Sequence, residues 1–218
     1  MHILAHRGLW NKDSEKNSIK SFKLSFDKSF GIETDLRDFQ GSLVISHDPV
    51  INNNNILSFE NFLKLDRESK SKEMLALNIK SDGIISKAES LLKDFQITNY
   101  FFFDMSIPQL IEAKRNKINK IFCRHSEYES TEKVLNLTSG VWLDSFDGFH
   151  QNLHELILYF LNKKIFVAIV SPELHIKDHK LMYDCWEKIK SLNLSEQSQN
   201  MLMLCTDNPL IARDYFKK

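Results

Sequence analysis

Short apolar runs alternate with longer stretches of helical spacing along the whole chain. Runs that read as buried strands fall at residues 3–5, 31–36, 74–79 and 100–103, and again at 120–123, 140–143, 165–170 and 201–205. Between them, Ile19, Phe22, Phe26 and Phe30 are spaced three, four and four residues apart, which aligns them on one helix face. Ile85, Ala88, Leu92 and Phe95 share that spacing, as do Leu153, Leu156, Ile157 and Phe160, and Met182, Cys185, Trp186 and Ile189. Strands alternating with helices imply right-handed crossovers and a parallel sheet covered by helices. Eight such strands in one chain predict the (β/α)8 or TIM-barrel class of α/β fold. The alternative, an open doubly wound sheet, predicts a glycine-rich phosphate loop after the first strand. That strand is followed instead by His6-Arg7-Gly8-Leu9-Trp10. One domain over residues 1–218 is expected, with the asparagine run at 52–55 as a polar loop tip.

Composition narrows the class of function. Hydrophobic residues make up 42% and charged residues 27%, as in ordinary water-soluble domains. Lysine plus arginine equals aspartate plus glutamate at 29 each, so no overall field favours nucleic acid or anionic lipid; no nucleic-acid partner and no stable membrane anchor are expected. The opening Met-His-Ile-Leu-Ala-His does not read as a secretion signal, and no apolar run approaches the roughly 20 residues of a membrane span. Cys123, Cys185 and Cys205 are too few and too scattered for a disulfide framework or zinc site. Each reads as a small buried side chain in a reduced, cytoplasmic protein.

The chemistry collects where strands end, which is where barrels of this class carry their sites. Strand one runs into His6-Arg7-Gly8, strand two carries Glu33-Thr34-Asp35, and the run at 43–46 delivers His47-Asp48-Pro49. Residues two apart on a strand point to one face, so Glu33 and Asp35 share a space. Two buried carboxylates repel unless a cation lies between them, and a divalent ion with oxygen ligands, Mg²⁺ or Ca²⁺, suits the pair. The competing reading salt-bridges them to Arg7, Arg37 or Lys80. His6 and His47 titrate near neutrality and can serve as general base and general acid. Arg7 offers a fork for phosphate oxygens and Lys80 a compact charge, roles compatible with neutralising Glu33 and Asp35. The other histidines, His2, His125, His150, His154, His175 and His179, read as surface or packing residues.

Taken together, His6-Arg7-Gly8, Glu33-Thr34-Asp35 and His47-Asp48-Pro49 resemble the signature of glycerophosphodiester phosphodiesterases. Asn78-Ile79-Lys80 falls where that family has Glu-x-Lys, Thr206-Asp207-Asn208-Pro209 is similar to its closing Thr-Asp-x-Pro, and Asn17-Ser18 to its Asn-Thr. The likeness is dense over residues 1–80 and thinner beyond. It implies a phospholipase-C-like barrel that cleaves a small-molecule phosphodiester with a divalent metal (Mg²⁺ or Ca²⁺, with Mn²⁺ as a substitute) and two histidines. On this resemblance Glu33, Asp35 and Asn78 would be metal ligands, His6 and His47 acid and base, and Arg7 and Lys80 the phosphate-binding cations. Three departures stand out. Asn78 replaces a carboxylate, which lowers the charge at the metal, with Asp82 a candidate to compensate. Glu15 is separated from Asn17-Ser18, which predicts a differently shaped loop. The segment at 52–57 is short where many members carry a pocket-forming insertion. Two other readings remain at this point: a phospholipid-cleaving enzyme at a membrane, using Trp10, Phe146 or Phe149, and a barrel that binds a phosphate ligand with little catalysis.

Overall fold

A computed structural model describes residues 1–51, 56–69 and 72–217. The asparagine run at 52–55 therefore lies outside the described residues. In chain order the elements are β1 (His2–His6), α1 (Ile19–Asp27), β2 (Gly31–Phe39), β3 (Ser42–Ile45), β4 (Leu57–Ser58) and α2 (Phe59–Ser69). They continue with β5 (Leu75–Ile79), α3 (Ile85–Asp94), β6 (Tyr100–Phe103), α4 (Ile107–Arg115), β7 (Phe122–His125) and β8 (Gly140–Leu143). The chain ends with α5 (Leu153–Asn162), β9 (Phe166–Val170), α6 (His179–Lys190), α7 (Glu196–Asn200), β10 (Leu202–Thr206) and α8 (Pro209–Lys217). Two compact units emerge, Ala5–Ile121 and a second made of Met1–Leu4 with Phe122–Lys218.

In the unit of residues Ala5–Ile121, β2 pairs in parallel with β5, and β5 with β6, while β3 and β4 extend the other side as antiparallel strands. Gly31 to Leu36 are fully covered, as expected for the interior of a parallel sheet. Beyond Leu36 the strand emerges and turns back through Gln40 (φ 48°) and Gly41 (φ 77°). A two-residue turn with both φ values positive matches strand twist and closes a tight hairpin. Phe22 and Phe62 join α1 to α2 edge to face, their ring centroids 4.7 Å apart. The predicted helix face at Ile19 to Phe30 is modified at both ends. Ile19, the first helical residue, is 47% exposed, and Phe30 is buried but lies beyond the helix. Ser29 adopts a left-handed φ of 54° and so leads the chain out of α1 into β2.

In the unit containing Phe122–Lys218, β7, β8, β9 and β10 are parallel neighbours in that order. Val141, Ile157, Phe160, Ile169, Met182 and Trp186 anchor its core. All four residues of the predicted face on α6 are buried. Two expectations shift here. The fifth strand occupies Phe122–His125 rather than 120–123, because its polar end, Arg124-His125, carries no hydrophobic signal. The connection from β7 to β8 holds only a 3-10 turn at Leu135–Leu137 in place of a helix. Its hydroxyl side chains bind the local backbone: Ser126 Oγ accepts from Tyr128 N at 3.2 Å, and Ser130 Oγ accepts from Glu132 N at 3.3 Å. Such bonds compete with a helical ladder. The three cysteines are free and buried, and among the described residues no helix is long and apolar enough to cross a membrane.

Asp66, on the buried face of α2, gives the fold a pH dependence. Burial pushes its carboxyl up to about 7 from an ordinary 3.8. The folded chain thus keeps a proton that the unfolded chain releases. The associated stability is complete below about pH 4 and lost as pH rises through about 7. Urea midpoints should therefore fall between pH 5 and pH 9 in the wild type (about that range). Asp66→Asn should flatten this fall, and an unchanged slope would remove Asp66 as its source.

Candidate active site

The site grows from the carboxyl ends of β1, β2 and β5, all within residues Ala5–Ile121. Arg7 and Gly8 both take positive φ, 57° and 83°, to turn the chain sharply out of β1. A Cβ on Gly8 would lie 2.6 Å from Ser21 Oγ, so only glycine fits against the start of α1. The Arg7 amide meets Glu33 twice, its carbonyl at 2.9 Å and its carboxylate Oε2 at 3.2 Å. The Glu33 carboxylate also lies 3.8 Å from His6 Nε2.

Asp35 is fully buried and is the hub. Arg7 Nε stands 3.0 Å from its Oδ2 and Lys80 Nζ 3.4 Å from its Oδ1. Asn17 Nδ2 donates to Oδ2 at 2.8 Å, while Asn17 Oδ1 accepts from Thr34 Oγ1 at 2.8 Å. Asn17 sits at a left-handed φ of 56°, a conformation asparagine tolerates better than most residues. Its neighbour Ser18 caps α1 through a reciprocal pair of hydrogen bonds with Ser21. The motif likeness of Asn17-Ser18 assigned the asparagine side chain no role in the site. An asparagine, which tolerates left-handed turns, just before a serine able to cap a helix was the available signal for this second role.

Strand register sets Asn78 beside Asp35. Asn78 Oδ1 is buried and accepts no hydrogen bond, and the same holds for Asp35 Oδ1. His47 is brought back by the β2–β3 hairpin: Ser46 N donates to the Asp35 carbonyl at 3.1 Å and Arg37 Nη2 to the His47 carbonyl at 2.9 Å. Its half-exposed ring pairs through Nδ1 with Asp48 Oδ1 at 2.8 Å. The hydrogen bond to His47, and then its charge, hold the Asp48 carboxyl below its ordinary value, with Arg7 and Arg37 adding to the effect. Side-chain contacts thus join His6, Arg7, Glu33, Asp35 and Lys80; register adds Asn78, and backbone pairing adds His47.

The electrostatics are those of a site that wants positive charge. Burial raises the Glu33 carboxyl well above its ordinary value, and the Asp35 charge raises it further, against opposing pulls from Arg7 and Lys80. Among the described residues no three His, Cys, Asp or Glu side chains group as metal ligands, since the third position is an amide. Two carboxylates and the unpartnered oxygen of Asn78 are nevertheless a donor set that fits a hard divalent cation. The salt-bridge alternative is visible too, through Arg7 and Lys80 on Asp35, whereas Arg37 is engaged with the His47 carbonyl. Asp82 does not make up for Asn78. Its carboxylate accepts from Ser106 Oγ at 2.5 Å, at the amino end of α4. Three of the histidines set aside above, His125, His150 and His175, gather in the other unit around Asp144, a convergence that linear spacing did not reveal.

No family model matches the sequence, and no curated protein matches it significantly. Solved structures do. A glycerophosphodiester phosphodiesterase from Parabacteroides distasonis superposes with a TM-score of 0.67 at 15% identity, over 99% of this chain and 96% of that one. An Oleispira antarctica phosphodiesterase in complex with the product sn-glycerol-3-phosphate gives 0.70 at 16% identity, over 100% and 97%. A Ca²⁺-dependent phosphatidylinositol-specific phospholipase C from Streptomyces antibioticus gives 0.59 at 11% identity, over 99% and 95%. The fold is that of glycerophosphodiester phosphodiesterases, the (β/α)8 class predicted from the strand and helix pattern.

Glu33 tests the electrostatic reading. Its burial next to Asp35 is a local cost in the metal-free chain. Glu33→Gln should therefore raise metal-free stability at pH 8 by about 1 kcal/mol, or about 2–4 °C in Tm for a chain of this size. A fall in Tm measured calorimetrically in chelator would show that the carboxylate is held favourably instead.

Proposed function

We propose that the chain is a phosphoric diester hydrolase of the glycerophosphodiester phosphodiesterase type, with residues 1–218 as one catalytic domain acting on a small-molecule phosphodiester. The observation that carries this reading is the buried Glu33–Asp35 pair with Arg7 and Lys80 both on Asp35, next to His6. The fold likeness supports it, since a similar structure holds sn-glycerol-3-phosphate as product and another is named as Ca²⁺-dependent. The free buried cysteines favour a reducing, cytoplasmic setting.

Glu33, Asp35 and Asn78 would hold a divalent cation, Mg²⁺ or Ca²⁺ with Mn²⁺ as a substitute, which when bound supplies a Lewis acid that offsets charge on the phosphoryl group. Arg7 and Lys80 lie on one carboxylate, so an arriving phosphodiester shares their charge with Asp35 and gains stabilisation as charge builds in the transition state. His6 acts as base and takes the proton of the attacking oxygen. His47 acts as acid and protonates the leaving alkoxide. Asp48 supports this assignment, because a carboxylate 2.8 Å from Nδ1 fixes the ring's orientation and leaves Nε2 to face the leaving group. The new P–O bond forms from water, or from a neighbouring substrate hydroxyl, as the ester P–O bond breaks. A phosphomonoester product marks the first course and a cyclic phosphate the second.

Purified protein should hydrolyse an activated phosphodiester, lose that activity in chelator and regain it with Mg²⁺, Mn²⁺ or Ca²⁺; a full rate in chelator would remove the cation from the scheme. His6→Ala and His47→Ala should each lower turnover by roughly 10² or more with the circular dichroism spectrum unchanged. Wild-type rates in both would place the chemistry elsewhere. Asn78→Asp should restore a negative ligand and tighten the cation about tenfold in calorimetric titration, since affinity at oxygen sites follows ligand charge. Equal affinities would show that position 78 does not face the cation.

A further inference from the structure

A cavity of about 310 Å³ opens at the amino-terminal ends of β5 and β6, wholly within the unit of residues Ala5–Ile121. One wall comes from the end of α2 and the segment leading into β5, the other from the turn between α3 and β6. The candidate active site uses the opposite, carboxyl end of β5, so the cavity takes no part in the hydrolysis scheme.

Asp66 lines this space, and only 7% of the residue is exposed. Burial by itself drives its carboxyl up to about 7; among the described residues no hydrogen bond or opposite charge acts on it. An unanswered buried carboxylate is costly, and one that opens onto a cavity is answered most directly by a cation entering there. Asp66 also stands in the last turn of α2, where the negative end of the helix dipole favours a partner of the same sign.

The rest of the lining carries positive charge as well. Arg67 and Lys72 border the cavity together with Glu73, and among the described residues neither cation pairs with Asp66. The Arg67 guanidinium lies 5.8 Å from the centroid of the Phe95 ring, which keeps it on the far wall. Both walls are fixed in advance. Gln96 turns the chain out of α3 at a left-handed φ of 59°, and the Ile97 amide donates to the Leu92 carbonyl at 2.9 Å. Asn99 Nδ2 donates to the Lys72 carbonyl, and Lys120 Nζ to the Thr98 carbonyl. Such preorganisation lowers the entropy cost of binding.

The charges select the ligand. Asp66 repels a simple anion, while Arg67 and Lys72 repel a simple cation. A zwitterion meets both demands at once. Phe95 and Ile97, each half-buried, offer apolar surface to the body of such a molecule. The volume lies at the low end of small-molecule pockets, which run from roughly 300 to 1,000 Å³, and suits a ligand of amino-acid size. We propose that this cavity binds an α-amino acid with an apolar side chain, its ammonium on Asp66 and its carboxylate on Arg67 and Lys72.

The test titrates the full-length protein at about pH 8, where Asp66 is ionised, with leucine, leucinamide and N-acetylleucine, followed by saturation-transfer NMR. Leucine should bind, and each blocked form, which lacks one of the two charges, should bind at least about tenfold more weakly. Asp66→Asn and Arg67→Gln should each weaken leucine binding about tenfold, and His6→Ala should leave it unchanged. Asparagine keeps the shape of aspartate and Arg67 is exposed, so neither substitution disturbs the core. Absence of leucine binding, equal binding of either blocked form, full binding in either cavity variant, or loss of binding in His6→Ala would each overturn the proposal. Hydrolysis of the activated diester is measured on the same samples, so failure of the amino-acid site and failure of the hydrolase reading are distinguished.

Discussion

A carboxylate with no exposed surface has to be answered by positive charge or hydrogen bonds, and Asp35 imposes that condition on everything around it. Its partners come from three separate segments: Arg7 after β1, Asn17 before α1, and Lys80 after β5. None could reach Asp35 unless its own backbone were correctly placed. Two of them, Arg7 and Asn17, occupy the left-handed region, which side chains other than glycine adopt at some cost. The Asn17 amide also donates to the Arg7 carbonyl at 2.9 Å, so the two strained turns hold each other.

That arrangement leaves a residue of unsatisfied chemistry. Glu33 is buried beside Asp35 with its carboxyl driven toward the neutral form, and Asn78 aims an unpartnered oxygen from the adjoining strand. Stability alone would favour closing both features, by a neutral side chain in one case and a donor in the other. Their presence in one place, with two cations already on Asp35, is the pattern of a site prepared for charge that arrives from outside. His47 comes to the same segment by a different device, a hairpin whose tight turn depends on Gln40 and Gly41.

The Asp144 group follows a related logic with a different outcome. There too a buried carboxylate orients an imidazole and meets an arginine, but the second carboxylate, Glu129, lies on that arginine, and aromatic rings stand where the first site has a lysine.

The sequence by itself determined the strand and helix order, because an apolar period of two or 3.6 is set by which side chains must leave water. It also exposed Glu33 with Asp35, and His6 with Arg7, since spacing along one strand or one turn fixes direction. It named no apolar face for α2 or α4, whose apolar positions are interrupted by charge, and it did not mark the 3-10 connection between β7 and β8, where serine hydroxyls bind the backbone. Only the tertiary structure decided that Asn17 serves Asp35, that Asp82 turns to Ser106, and that His125, His150 and His175 meet near Asp144. Each of these depends on strands or loops distant in sequence coming into register. A register is fixed by packing across the sheet and leaves no periodic trace in the chain.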